Sequence, residues 1–104
     1  MANEVAKISL IKGDGIGVDV TDAAMAVVDA ALARTGGRLE RKTIQAGAGY
    51  FAETGADIEP GGEQAAGQAD AIFLGAIGLP AVRHADGTEI SPHLRLRDVY
   101  ELYA

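Results

Sequence analysis

No cysteine occurs in the 104 residues, which excludes disulfides, thiolate metal ligands and a cysteine nucleophile while assigning no compartment. A run of lysine or arginine is also missing: nine basic residues are scattered among fifteen acidic ones, for a formal charge of -6. Without a continuous basic stripe there is nothing to lay along a phosphate backbone, so nucleic acid is not an expected partner. The same acidity weakly repels polyanions, and anion binding would have to come from a local cluster, for which Arg95 and Arg97 are the candidates. No apolar run approaches the roughly 18 residues that a membrane span needs. The start, Met1 to Lys7, lacks the basic flank and apolar core of a secretory leader. The expectation is a cytoplasmic chain with no membrane contact. Repeats and low-complexity linkers are absent too, and 48% apolar with 23% charged residues makes residues 1–104 one small ordered domain rather than a disordered segment. A domain of this size buries only about two-thirds of its unfolded surface, so it is marginal once packing partners are lost.

The residues that are present alternate between two periods. Ala6 to Ile11 is a short apolar, partly β-branched run that stops at a glycine cluster, as a buried strand does. From about Val18 to Thr35 the spacing becomes helical, with Val20, Ala23, Ala24, Val27, Val28 and Ala31 on the expected apolar face and Asp19, Asp22 and Asp29 on another. Gly36 and Gly37 end it, as left-handed capping favours. Leu39 to Ala46 alternates without a cleanly apolar face, which predicts an edge or half-exposed strand. Short helices are expected at Ala48 to Glu53 and between Pro60 and Gln68, the latter weakened by glycine. Ala71 to Leu74 is wholly apolar and reads as a central strand covered on both faces. After a Gly-, Pro- and polar-rich stretch from Ala76 to Ser91, Pro92 opens a last helix bearing Leu94, Arg95, Leu96 and Arg97. Strands alternating with helices predict an α/β layer with a largely parallel sheet.

Gly13-Asp14-Gly15-Ile16-Gly17 lies between the first strand and the first helix. Two readings compete there: a phosphate site at a helix amino terminus, or a structural turn that uses glycine for positive φ. The usual dinucleotide fingerprint would need a third glycine at position 18, which is Val18. An ordinary Rossmann nucleotide module is therefore disfavoured.

The run Ile11 to Val20 resembles the G-D-G-I-G-P-E-V signature of the isocitrate, isopropylmalate and tartrate dehydrogenases. Ala69 to Pro80, A-D-A-I-F-L-G-A-I-G-L-P, is similar to that family's A-D-A-x-L-L-G-A-V-G-x-P block, and Leu94 to Arg97 with Leu102-Tyr103-Ala104 is similar to its L-x-L-R-K and L-Y/F-A segment. Three blocks in order cover essentially the whole chain. The departures are Val18 and Asp19 for the family's proline and glutamate, and Asp98 for the lysine after the arginine. Val18 loses the proline that pre-sets the first helical turn, whereas Asp19 keeps an acidic charge near the helix start.

The resemblance implies an isopropylmalate-dehydrogenase-like α/β sheet rather than an ordinary Rossmann fold, and an incomplete one, since family members are several times longer and continue past Ala104 with further arginine. It implies oxidation and decarboxylation of a malate-type 2-hydroxy acid with NAD or NADP and Mg2+ or Mn2+, in an enzyme expected to be a homodimer. By position Arg97 matches an arginine that clamps a substrate carboxylate, and Ser91, His93 and Leu94 fall where the family contacts the γ-substituent. Polar Ser91 and His93 lean toward a polar substituent, although Ser91 before Pro92 is also a good amino cap. Arg95, two positions from Arg97, is expected on a different, exposed side of the helix. Ala76, Ile77, Gly78 and Glu89 mark the expected wall beside the nicotinamide, with small Gly75, Ala76 and Gly78 permitting close approach of a flat ring. Catalytic acid-base groups and metal ligands are expected outside this segment, so Asp14 and Asp70 are assigned to neither role. The alternative is a non-catalytic remnant that acts as a binding or regulatory subunit through an exposed sheet edge.

Overall fold

The structure is a computed structural model that describes residues 5–103. The readings of Met1 to Glu4 as leader-free and of Ala104 within the third block lie outside the described residues. The order of elements is β1 (Val5–Gly13), α1 (Ile16–Thr35), β2 (Arg38–Thr43), α2 (Ala48–Thr54), α3 (Gly62–Gly67), β3 (Ala71–Ala76) and α4 (Pro92–Val99). Every expected element is present, and α1 begins two residues ahead of the sequence expectation.

The described strands form a parallel three-stranded sheet in the order β2-β1-β3. β1 is central and carries buried Ser9, Leu10 and Ile11. Strand side chains alternate faces. Ser9 and Ile11 turn toward α3 and α4: the Ser9 hydroxyl donates to the Ala66 carbonyl at 3.3 Å, and Ile11 packs with Ile44, Ala46, Ala66 and Leu96. Lys12 turns the other way, reaching Asp22 of α1 at 2.9 Å. The sheet is thus covered by α1 on one face and by α3 and α4 on the other.

Two sequence expectations need correction. The strand read as central, Ala71 to Leu74, lies in β3 at one side of the described sheet, with Ala71 exposed and Leu74 40% exposed. A wholly apolar run reports burial pressure on a strand without saying on which side its neighbours lie. The apolar face of α1 is also rotated. Val20 and Val27 are 56% and 69% exposed, and Ala23 and Ala31 are exposed as well. The inward stripe is instead Gly17, Thr21 and Met25, flanked by half-buried Ala24, Val28 and Leu32.

Close approach explains the rotation. A Cβ on Gly17 would collide with the Lys12 carbonyl oxygen and lie 2.7 Å from the Ala76 nitrogen. On Gly75 it would collide with the same Lys12 oxygen and lie 2.6 Å from Thr21 Oγ1. Helix and strand meet at two glycines, and whatever follows Gly17 at helical spacing becomes the buried face. Replacing Gly75 by Ala is therefore expected to cost about 2 kcal/mol or more through overpacking, whereas Val27→Ala on the exposed face should stay within about 0.5 kcal/mol. Urea unfolding of the two variants checks this, and equal losses would contradict the assigned face.

Candidate functional site

The strands of a parallel sheet release their chain at one end, and ligands of open α/β sheets gather beyond that carboxyl end. Here the glycine cluster, the start of α2 and the loop after β3 meet. Gly13 and Gly15 have φ of 80° and 52°, so the cluster is a turn that uses glycine for positive φ. Between them Asp14, only 7% exposed, accepts main-chain N–H groups from Ala48 at 2.8 Å, Gly49 at 2.8 Å and Gly78 at 2.9 Å. Its own N–H donates to the Ala76 carbonyl at 2.6 Å.

The residues expected to form a cofactor wall have diverse surroundings. Gly78 and Glu89 line one depression of about 180 Å³ with Leu79, Pro80, Val82 and Ile90. Gly78 has φ +133°, and a Cβ there would meet nothing within 4 Å, so its main chain faces open space. Glu89 is exposed and lies 3.6 Å from Arg83. Ala76 is exposed, with its carbonyl held by Asp14, whereas Ile77 packs against the core cluster. Gly75 differs from the expectation of a ring-facing glycine, because its missing side chain makes room for α1.

Of the four residues matched to substrate contacts, the fold brings two together. His93 and Arg97 line a depression of about 120 Å³ with Ile72, Leu74, Leu96 and Leu102. Leu94 is 52% exposed and does not line it. Ser91 occupies the amino-cap position of α4 but makes no side-chain cap bond; its hydroxyl instead makes a long 3.5 Å contact with the Glu89 carbonyl. Helical spacing accounts for the split, since positions 93 and 97 lie one turn apart on one face. Arg97 has no ion pair among the described residues.

Arg95 is exposed, as expected from its place two residues from Arg97, yet its charge is committed within the fold. Its Nη1 and Nη2 donate to the two Asp57 oxygens at 2.8 and 2.9 Å, and its Nε donates to Glu63 at 2.6 Å. These bonds tie α4 to α3 and to the loop before it, and hold the Asp57 carboxyl below the usual carboxylate range despite partial burial. Sequence reading missed this fork because its partners lie 38 and 32 residues away. It missed the role of Asp14 for the same reason. A lone Asp between turn glycines was a signal for side-chain bonding to main chain, but not for bonding to residues 48, 49 and 78.

A profile of the isocitrate/isopropylmalate dehydrogenase family matches residues 7–104. A 3-isopropylmalate dehydrogenase of Symbiobacterium thermophilum is 35% identical over 107 aligned positions, covering all of this chain and 29% of that protein. A probable tartrate dehydrogenase/decarboxylase of Agrobacterium vitis is 35% identical over 73% of this chain and 22% of its own length. The crystal structure of a beta-decarboxylating dehydrogenase from Thermococcus kodakarensis, in its apo form, superposes with a TM-score of 0.74 at 31% identity, covering 94% of this chain and 27% of that one. The chain thus spans less than a third of each of these relatives.

Burial, then the nearby Arg97 charge, lowers the His93 pKa from the ordinary imidazole value, with Glu89 opposing. A depressed folded value means that neutral His93 supports the fold above about pH 6.5, and that this support is lost as pH falls through the folded pKa. In an NMR titration His93 should titrate below about 6.5, and Arg97→Gln should raise its pKa by removing the like charge. A His93 pKa at or above that value would contradict the assigned surroundings.

Proposed function

The chain belongs to the isocitrate/isopropylmalate dehydrogenase family, and from that premise we propose that it forms the amino-terminal part of the α/β domain of a dehydrogenase. The reaction is oxidation and decarboxylation of a malate-type 2-hydroxy acid with NAD or NADP and Mg2+ or Mn2+. A cytoplasmic homodimer belongs to the same reading. The observation that carries it is the Arg97 guanidinium, without an ion pair among the described residues, beside the depression shared with His93, Ile72, Leu74 and Leu96. A planar guanidinium binds a carboxylate through two parallel hydrogen bonds and so fixes its orientation as well as its charge. Among the described residues no helix is long and apolar enough to cross a membrane.

Arg97 orients one substrate carboxylate, and His93, held neutral by its surroundings, donates or accepts one hydrogen bond at the substituent. Gly78 offers bare main chain against which a flat ring can lie. When bound, the dinucleotide supplies the hydride acceptor. No three His, Asp or Glu side chains among the described residues gather into a set that could hold a metal. These residues therefore do not fit a metal site, and the reading assigns the ligands and the acid-base groups to other parts of the protein. The 104-residue chain alone is then inactive. Reduction of NAD or NADP should be followed with Mg2+ and 3-isopropylmalate, isocitrate, homoisocitrate or tartrate. The whole gene product should turn over at least one acid and the isolated 104-residue chain none; a gene product inert with all four would end the reading.

The two arginines of α4 separate substrate binding from scaffolding. In the active gene product Arg97→Lys keeps the charge but loses the fork, and should cost about 2 kcal/mol of transition-state binding, seen in kcat/KM for the hydroxy acid with dinucleotide affinity nearly intact. Arg95→Lys should chiefly lower stability, by about 1 kcal/mol given its partial exposure. Near-wild-type kcat/KM in Arg97→Lys would make Arg97 a solvated helix charge, and a selective loss of dinucleotide affinity would move it to the cofactor wall.

A further inference from the structure

The Asp14 carboxylate is buried and is not among the groups assigned above to substrate or cofactor. Its Oδ2 accepts from Ala48 and Gly78, and its Oδ1 accepts from Gly49. One side chain at the end of β1 thus holds both the first turn of α2 and the loop that leaves β3. The neighbouring glycines make room for it: a Cβ on Gly47 would lie 2.8 Å from both carboxylate oxygens, and one on Gly49 would lie 3.2 Å from Oδ1. Gly78 has the opposite environment, with its N–H bonded inward to Asp14 and open space where a side chain would stand.

We infer that Asp14 is a positioning residue for the dinucleotide: by bonding the Gly78 N–H and the start of α2 to one carboxylate, it fixes the exposed main chain against which the cofactor ring lies. This rests on the dehydrogenase reading. A loop held by a charge-assisted bond at its open glycine presents a preformed surface, whereas the same loop unbonded must be ordered at the expense of cofactor binding.

An asparagine has one acceptor oxygen where the aspartate has two. Whichever way its amide turns, its NH2 group faces at least one of the three N–H donors. In the whole gene product, Asp14→Asn should speed amide hydrogen exchange at Gly78 or Gly49 by about tenfold or more. It should raise the dinucleotide KM by about tenfold while leaving kcat at saturating dinucleotide within about threefold. Asp70→Asn is the control, since that carboxylate accepts the Lys7 N–H at 2.8 Å just before β3 begins, at the opposite end of the strand; its dinucleotide KM should not move.

Unchanged exchange at both glycines overturns the inference. So does faster exchange with an unmoved dinucleotide KM, or a loss of kcat matched by Asp70→Asn, which would report general destabilisation. If Asp14→Asn does not fold, the wild-type Gly78 amide decides: it should exchange at least about tenfold more slowly than an unbonded amide, and exchange at the unbonded rate overturns the inference. A wild-type gene product with no dinucleotide turnover ends the functional reading and overturns the cofactor role with it. Exchange at Gly78 still reads the bond itself, so the two failures are distinguishable.

Discussion

Helix α1 reaches the sheet where neither partner has a side chain to spare, and the arrangement of the other elements depends on that contact. Gly17 on the helix and Gly75 on β3 both lie against the Lys12 carbonyl. The helix axis is therefore brought close to the backbone of β1 and β3, and the face that follows, Thr21 and Met25, is buried whatever its hydrophobicity. Thr21 shows the consequence: it is fully buried, and its hydroxyl has no hydrogen-bond partner among the described residues. Leaving a hydroxyl unsatisfied has an energetic cost, one that the close packing must offset. Charges at the margins then fasten the helix, with Lys12 paired to Asp22 and Arg41 to Asp29. Such exposed pairs contribute little stability but favour one helix rotation over others.

That contact brings the amino end of α1 to the carboxyl end of the strands, where the Asp14 carboxylate meets three N–H donors. The glycine cluster thus has two mechanical tasks. Gly17 lets the helix approach, while Gly13 and Gly15 take the positive φ that carries Asp14 between β1 and α1. Neither task requires a phosphate, which is why the missing third glycine at Val18 does not harm the turn. In place of an anion at the helix start, the turn's own Asp14 carboxylate accepts the main-chain N–H groups of Ala48, Gly49 and Gly78.

Local information was enough for element order, for the glycine stop at the carboxyl end of α1 and for the edge position of β2, since each depends on propensity and periodicity within a few residues. The burial face of α1 was not legible. Alanine and valine are spread around that helix, and the choice among faces is made by glycine packing against a strand more than fifty residues later. β3 was read as central, whereas among the described residues it lies at one side of the sheet; an apolar run carries no record of strand order. At the candidate site, the family resemblance offered Arg97 and His93 only as separate substrate contacts; that they share one depression emerges from the folded chain. The bonds of Asp14 and Arg95 were not legible, because their partners come from elements that only the folded chain brings close.

The two arginines of α4 show how an acidic chain can keep a local cation available. Arg95 faces two carboxylates and is committed to them by three hydrogen bonds, so its charge is neutralised within the scaffold. Arg97 is exposed and lies one turn from His93 at the depression lined by Ile72, Leu74 and Leu96. The net charge of -6 adds only a weak, salt-screened repulsion of anions at longer range. The acidic residues therefore do not oppose anion binding uniformly. By pairing with Arg95 they hold α4 in place, and a fixed α4 keeps Arg97 and His93 directed into the same depression.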